Sequence, residues 1–338
     1  MVLNNFLKFF VFFTGVLFFL SGCSTKEVFE PKVVQDEWKY HQPLHNSVED
    51  ISSNVALLEN QQVLSRVKEL NVSIAPNYRV VSLSDGWVVS TSIDGNITLT
   101  SVVNPQNKEQ FELKKTVASA SVNGDMLAVL FANNVMALYD IPSKEILFRE
   151  DGGKSVAVDM RIENPRFMND LVVFPTLDGK IVIVNTKMKK VLRTVFVSSE
   201  DFFNNIIYFD LVDNKIIAAT GYKILSLSQK EIRQKYEIRN MVHDDKNIYI
   251  NTKQGEVIAL TPTLDVVSKI KFPFAHFLGM ILNDGKLYIL ENEGYMIVVD
   301  AKTFQYTIHP IDLDDGFVFV GDKVFYVDDE KILLGKQH

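Results

Sequence analysis

Few residues of this 338-residue chain have the type and spacing to do chemistry. The only thiol is Cys23, in the run Leu20-Ser21-Gly22-Cys23. A lone cysteine has no disulfide partner and no companions for a zinc site, so neither competes for it. His41 and His45 stand four apart, a spacing at which two imidazoles on a helix could hold a metal. Pro43 lies between them and would break that helix, so they read as two histidines in an extended tether. Asp312-Leu313-Asp314-Asp315-Gly316 hints at a calcium loop. An EF-hand counted from Asp312 needs glycine sixth and glutamate twelfth, where Phe317 and Lys323 stand, so an acidic turn is the better reading. His243-Asp244-Asp245 offers a base and an acid, but a triad needs a nucleophile at close range. No Gly-x-Ser-x-Gly elbow and no phosphate- or dinucleotide-binding glycine motif is present. The expectation is therefore no catalytic residue, no cofactor and no metal.

Cys23 takes its meaning from what precedes it. Lys8 is the only charge before it, and an apolar run extends from Phe9 to Leu20. A basic start, a short apolar stretch and small residues make a secretory signal. That stretch is too short to span a bilayer, which takes about 20 residues. Leu20-Ser21-Gly22-Cys23 resembles the lipobox of bacterial lipoproteins. The resemblance implies a diacylglyceryl group on the Cys23 thiol, cleavage just before it and acylation of the new amine. Several chains suit the purpose, because one acyl chain gives only marginal membrane binding. The alternative is an uncleaved N-terminal anchor with an incidental cysteine. Ser24, where aspartate would favour the inner membrane, implies by the same resemblance the outer membrane; the periplasmic face is the expectation, although no feature of the mature chain chooses between the two faces. Residues 1–22 are thus expected as signal peptide and 23–53 as a lipidated tether. Pro31, Pro43 and weak periodicity mark that tether as linker-like.

The full chain carries a net charge of −7, and losing Lys8 with the signal leaves −8. A mildly acidic chain without a basic block is no nucleic-acid binder. Nor does it hold a polybasic membrane patch; lipid would do the anchoring.

From about Asn71 one unit recurs: strand, turn, strand, tight turn, strand, then a more polar fourth strand. The second turn falls at Asp94-Gly95, Asn133-Asn134, Asp178-Gly179, near Gly221, at Gln254-Gly255, Glu293-Gly294 and Asp328-Asp329. Steps of roughly 34 to 45 residues are those of propeller blades. Asp-Gly pairs suit two-residue hairpin turns in which both positions take positive φ. The strands, such as Leu171-Val172-Val173-Phe174 and Ile181-Val182-Ile183-Val184, are continuous apolar runs, as expected where both faces are covered. The spacing predicts an all-β chain, a β-propeller of about seven four-stranded blades over residues 54–338. The last unit lacks a fourth strand. An N-terminal strand, placed between about Val63 and Ile74, is expected to close the ring and remove the open edge. Residues 54–70 fit either a hairpin turning at Asn60-Gln61 or a short amphipathic helix, with the hairpin preferred.

Val135-Met136-Ala137-Leu138-Tyr139-Asp140, followed by Ser143-Lys144-Glu145 and Phe148, resembles the quinoprotein-type propeller repeat. Phe148 stands where that repeat carries a docking tryptophan. Lipobox plus propeller resembles the BamB family of outer-membrane assembly lipoproteins, whose ring has eight blades. The resemblance implies a non-enzymatic, membrane-anchored scaffold for other envelope proteins, with no small-molecule substrate. Alternatives are a surface-exposed adhesin or ligand-binding lipoprotein, and a degenerate quinoprotein. Phe272, Phe274 and Phe277 are the candidate partner patch, since clustered exposed aromatics mark interaction surfaces; inter-blade core is the competing reading for them. Phe202-Phe203 raises the same question.

Overall fold

The computed structural model describes residues 27–155 and 158–335. Cys23 and the segment expected as signal peptide lie outside the described residues. Thirty-two strands form eight antiparallel four-stranded sheets, and no helix occurs among the described residues. The chain is an eight-bladed β-propeller, one blade more than the repeat predicts. Blades 1 to 7 span residues 48–73, 78–112, 117–151, 166–196, 208–235, 238–271 and 277–310. Blade 8 takes three strands from residues 318–333 and its outermost strand from His41–Pro43.

The missing blade is the first. Its strands Val48–Ile51, Val55–Leu58, Gln62–Ser65 and Glu69–Ser73 are short, and its second turn contains no glycine. The hairpin at Asn60-Gln61 is real, with Gln61 at φ 65°. The closing strand is not within 63–74, which belongs to blade 1, but is His41–Pro43, paired with Ile332, Lys331 and Glu330. The ring therefore begins inside the segment expected as tether. That segment also buries Phe29 and Trp38.

Each pair of neighbouring blades encloses its own apolar cluster, so eight clusters circle the ring. The continuous apolar runs follow directly. Successive side chains of a strand point to opposite faces. Leu127 and Val129 fill the blade 2–3 interface, while Ala128 and Leu130 fill the blade 3–4 interface. Phe148 is buried between blades 3 and 4, where it takes the place of a docking tryptophan.

Ring closure rests on more than these three residue pairs. The Trp38 indole N–H donates to the Leu333 carbonyl at 2.9 Å. The Leu333 amide donates to Tyr40 O at 2.8 Å, and the Leu44 amide to Asp329 O at 2.6 Å. His41 contacts Glu330 through Nδ1 at 3.0 Å. It is thus a part of the seam, not a tether histidine. Upstream, the amides of Gln35 and Trp38 donate to the carbonyls of Ile308 and Pro310 on the outer edge of blade 7.

The tight turns divide by type. Both central residues have positive φ at Asp85-Gly86, Asp213-Asn214 and Asp284-Gly285, which join the first and second strands of their blades. In the second turns, by contrast, Gly95, Gly179 and Gly255 have positive φ while the residue before each does not. The Gly95 amide bonds back to Ser92 O, a turn closed by one left-handed residue. Glycine there serves a second need: a Cβ on Gly255 would lie 2.1 Å from the Phe272 carbonyl oxygen. The backbone of the blade 6–7 connection presses against that turn.

Candidate functional site

The first strand of each blade lines a central channel, with a cavity of about 1260 Å³. The connection between blades 3 and 4 departs from the other connections. Instead of crossing directly, residues 158–165 enter the channel and line it. Asn205 of the blade 4–5 connection holds this strap. Its Oδ1 accepts from the Asp159 amide at 2.6 Å, and its Nδ2 donates to Arg161 O at 2.8 Å. Arg161 pairs with Asp159 and reaches the Ile238 carbonyl of blade 6 at 3.2 Å. Asn164 Nδ2 donates to Ser53 Oγ of blade 1 at 2.5 Å. One strap thus ties blade 1, blade 6 and the blade 4–5 connection across the axis.

Below it, Arg166 Nη1 donates to Asp210 Oδ1 at 2.6 Å, and Asp210 Oδ2 meets His243 Nε2 at 3.1 Å. Burial alone would raise the Asp210 carboxyl; hydrogen bonds from His243 and the Leu211 amide, with the Arg166 charge, bring it down to about 2. The hydrogen bond to Asp210 raises His243 against the opposing effect of burial. Glu163 lies in the same group, and burial pushes it up to about 7 despite the Asn164 amide and Arg166. The buried Tyr208 hydroxyl has no hydrogen-bond partner, and burial with the nearby Asp210 and Glu163 raises it. Asp210 is the centre of the cluster, with Arg166 on one carboxylate oxygen and His243 on the other. His243 faces a carboxylate, and its other nitrogen faces the Asp244 carbonyl at 3.0 Å, not a nucleophile. Asp244 closes its turn by accepting from the amides of Lys246 and Asn247 and from Tyr249 Oη.

The sequence candidates are dispersed. No group of three or more potential ligands is placed to hold a metal among the described residues. Asp312 to Gly316 form the loop between blades 7 and 8. Phe272, Phe274 and Phe277 are not one patch. Phe272 and Phe277 are each 3% exposed within the blade 6–7 cluster, where Phe272 packs edge-on against Phe29, Phe277 and Tyr306. Only Phe274, at φ 64°, points outward, 52% exposed. Phe202 and Phe203 are also exposed. The channel cluster escaped sequence reading because Arg166, Asp210 and His243 come from three blades. One signal did exist. The steps from Asn134 to Gly179 and from Gly179 to Gly221 are the longest of the repeat, and the extra residues are the strap and the Asn205 loop that holds it.

The fold is that of the BamB-like propellers. The crystal structure of BamB from Moraxella catarrhalis superposes with a TM-score of 0.67 at 13% identity, covering 88% of this chain and 98% of that one. No family model matches the sequence. Two curated relatives, both named plasminogen-binding protein PgbB, are similar in sequence. The protein of Helicobacter pylori strain J99 is 34% identical over 70% of this chain and 46% of its own length. That of strain 26695 is 28% identical over 95% of this chain and 69% of its own. The chain thus spans about half the length of the first relative.

Proposed function

We propose that this chain is a lipid-anchored binding protein whose propeller holds a protein partner, and that plasminogen is that partner. The observation that carries the reading is the similarity to PgbB over 95% of the chain. The ring suits the role: its interfaces are filled by apolar side chains, and its loops are free to vary at both faces. We propose no catalytic step, since the one histidine–aspartate pair serves an ion cluster. The anchor is lipid on Cys23, as the lipobox resemblance implies.

The test is titration of plasminogen over the immobilised mature protein, with serum albumin as control. Saturable binding below about 10 μM, a free energy near −7 kcal/mol, is the expected result. Equal retention of albumin, or none of either, sinks the plasminogen assignment. Protease treatment of intact cells then places the ring. Digestion fits an outward-facing receptor. Protection favours the periplasmic side, where crosslinking should recover an envelope protein as the partner.

A further inference from the structure

In an antiparallel four-stranded blade the connections alternate between the two ends of the strands. All the blade-to-blade loops and all the second turns therefore share one face of the ring, here called the connection face. The first and third turns share the other. The exposed phenylalanines divide unequally between them. The connection face carries Phe202, Phe203, Phe274 and Phe317, with Ile93. Phe196, the only other exposed phenylalanine among the described residues, ends an outer strand at that same side. The opposite face presents Val67, Val103 and Met188, with Ile146, Leu211 and Tyr306 at strand ends beside its turns, and no exposed phenylalanine among the described residues.

The N-terminal strap reaches the ring on that side as well. Phe29 is 4% exposed, and its ring meets Phe272 of the blade 6–7 connection at 6.1 Å and Tyr295, beside the second turn of blade 7, at 5.5 Å. Cys23 stands six positions earlier. Six residues reach at most about 20 Å, so an acyl group on Cys23 holds Phe29 within that distance of the lipid. Phe274 is two residues beyond Phe272, on the same short leash.

We propose that the connection face lies on a lipid surface, with Phe274 leading and Phe202, Phe203 and Phe317 entering the interfacial layer. This rests on the lipid anchor of the preceding section. Phenylalanine on the apolar side of a surface-bound segment lies at the headgroup–acyl boundary, and its burial beside the acyl chains adds apolar contact to the anchor. The charge on this face selects the lipid. Asp312, Asp314 and Asp315 adjoin Phe317, so a zwitterionic surface is preferred to an anionic one. The face opposite is left free for a partner.

The acylated chain, purified from bacterial membranes and reconstituted in phosphatidylcholine vesicles, supplies the test. Cys23 is the only native cysteine, so once acylated it leaves any introduced thiol unique. Bimane is attached at F202C, F274C, V103C on the opposite face, and V266C on the rim of blade 6. Doxyl-labelled lipid is expected to quench the labels at 202 and 274 at least about twofold more than those at 103 and 266. Replacing half the lipid with phosphatidylglycerol should not increase that quenching. Quenching at 266 without 202 means that the ring stands on its rim and overturns the proposal. So does stronger quenching at 103, or none at any site. Mass spectrometry of the N-terminal peptide separates the two readings. With acyl mass on Cys23, such results reject only the orientation; without it, the anchor fails and the orientation falls with it.

Discussion

The interface between blades 3 and 4 and the channel a few residues inward are built on opposite principles. The interface is made of Ala128, Leu130, Met136, Leu138, Val172, Phe174 and their neighbours, each nearly inaccessible to water. It is stabilised by burial, about 25 cal/mol per Å² of apolar surface, and its residues are interchangeable within limits of volume. The channel gathers Arg166, Asp210, His243, Glu163 and the strap. Arg166, Asp210 and His243 each need a particular partner from another blade. Apolar packing tolerates changes that preserve volume, whereas a paired charge in a half-buried neck does not tolerate loss of its partner. The wall therefore gives the ring its stability, and the neck gives it a particular internal geometry.

Substitutions that strike one region and spare the other separate these roles. Phe174→Ala should have the largest effect. It empties part of a fully buried site and should cost about 3–5 kcal/mol, read as a fall in the denaturant midpoint; a loss below 1 kcal/mol would mean the wall is not what holds the ring. Trp38→Phe keeps most of the ring contact but removes the indole N–H to Leu333. An expected loss of about 1–2 kcal/mol should appear with faster amide exchange in His41–Pro43, because the seam opens locally.

Asp210→Asn acts on the neck. His243 loses the interaction that raises it, so its imidazole should titrate lower by NMR, while the wall's exchange protection stays unchanged. The sign for stability follows from the two directions. His243, raised in the folded state, contributes below its unfolded value and loses that contribution as pH rises through its folded value. Asp210, lowered to about 2, contributes above its ordinary value of 3.8 and loses it as pH falls toward 2. Glu163 runs in the same sense as His243. Its folded value of about 7 against 4.5 means that stability declines as pH rises from 4.5 through 7. Glu163→Gln should flatten that decline and raise stability at pH 8 by about 1 kcal/mol; an unchanged slope of melting temperature against pH would remove Glu163 from the cluster. Smallest of all, Phe274→Ser should leave stability within about 0.5 kcal/mol, since the side chain is exposed. A large loss there would mean that Phe274 belongs to the wall.

The same division explains what could be read from the amino-acid order. Blade interfaces impose a local signal, because an apolar run flanked by turn residues looks the same in every unit. Strands 171–175 and 181–184 were legible for that reason, as was the missing outer strand of the last blade. Blade 1 was harder because Val48-Glu49-Asp50-Ile51 is half polar and its second turn has no glycine. The closing strand was harder still: three residues bounded by His41 and Pro43 carry no strand periodicity, and their pairing is decided by Glu330 to Ile332 nearly three hundred residues later. Phe272 and Phe274 differ by two positions and by whether the side chain meets Phe29, a contact that no local pattern encodes. Arg166, Asp210 and His243 show the limit most plainly, for nothing near any one of them in sequence names the other two.

The seam also imposes an order in time. His41–Pro43 is among the first segments of the ring to be made, and its partner Glu330–Leu333 is almost the last. Until the final strand emerges, Trp38 has no Leu333 carbonyl to bind and blade 1 has no neighbour on one side. A growing chain can stack blades 1 to 7 in sequence, but it remains an open arc with two bare ends. Contacts this distant in sequence form late and slowly. The ring is therefore completed only once Glu330–Leu333 has been made, and a chain that stops short of that strand leaves an arc that His41–Pro43 cannot close.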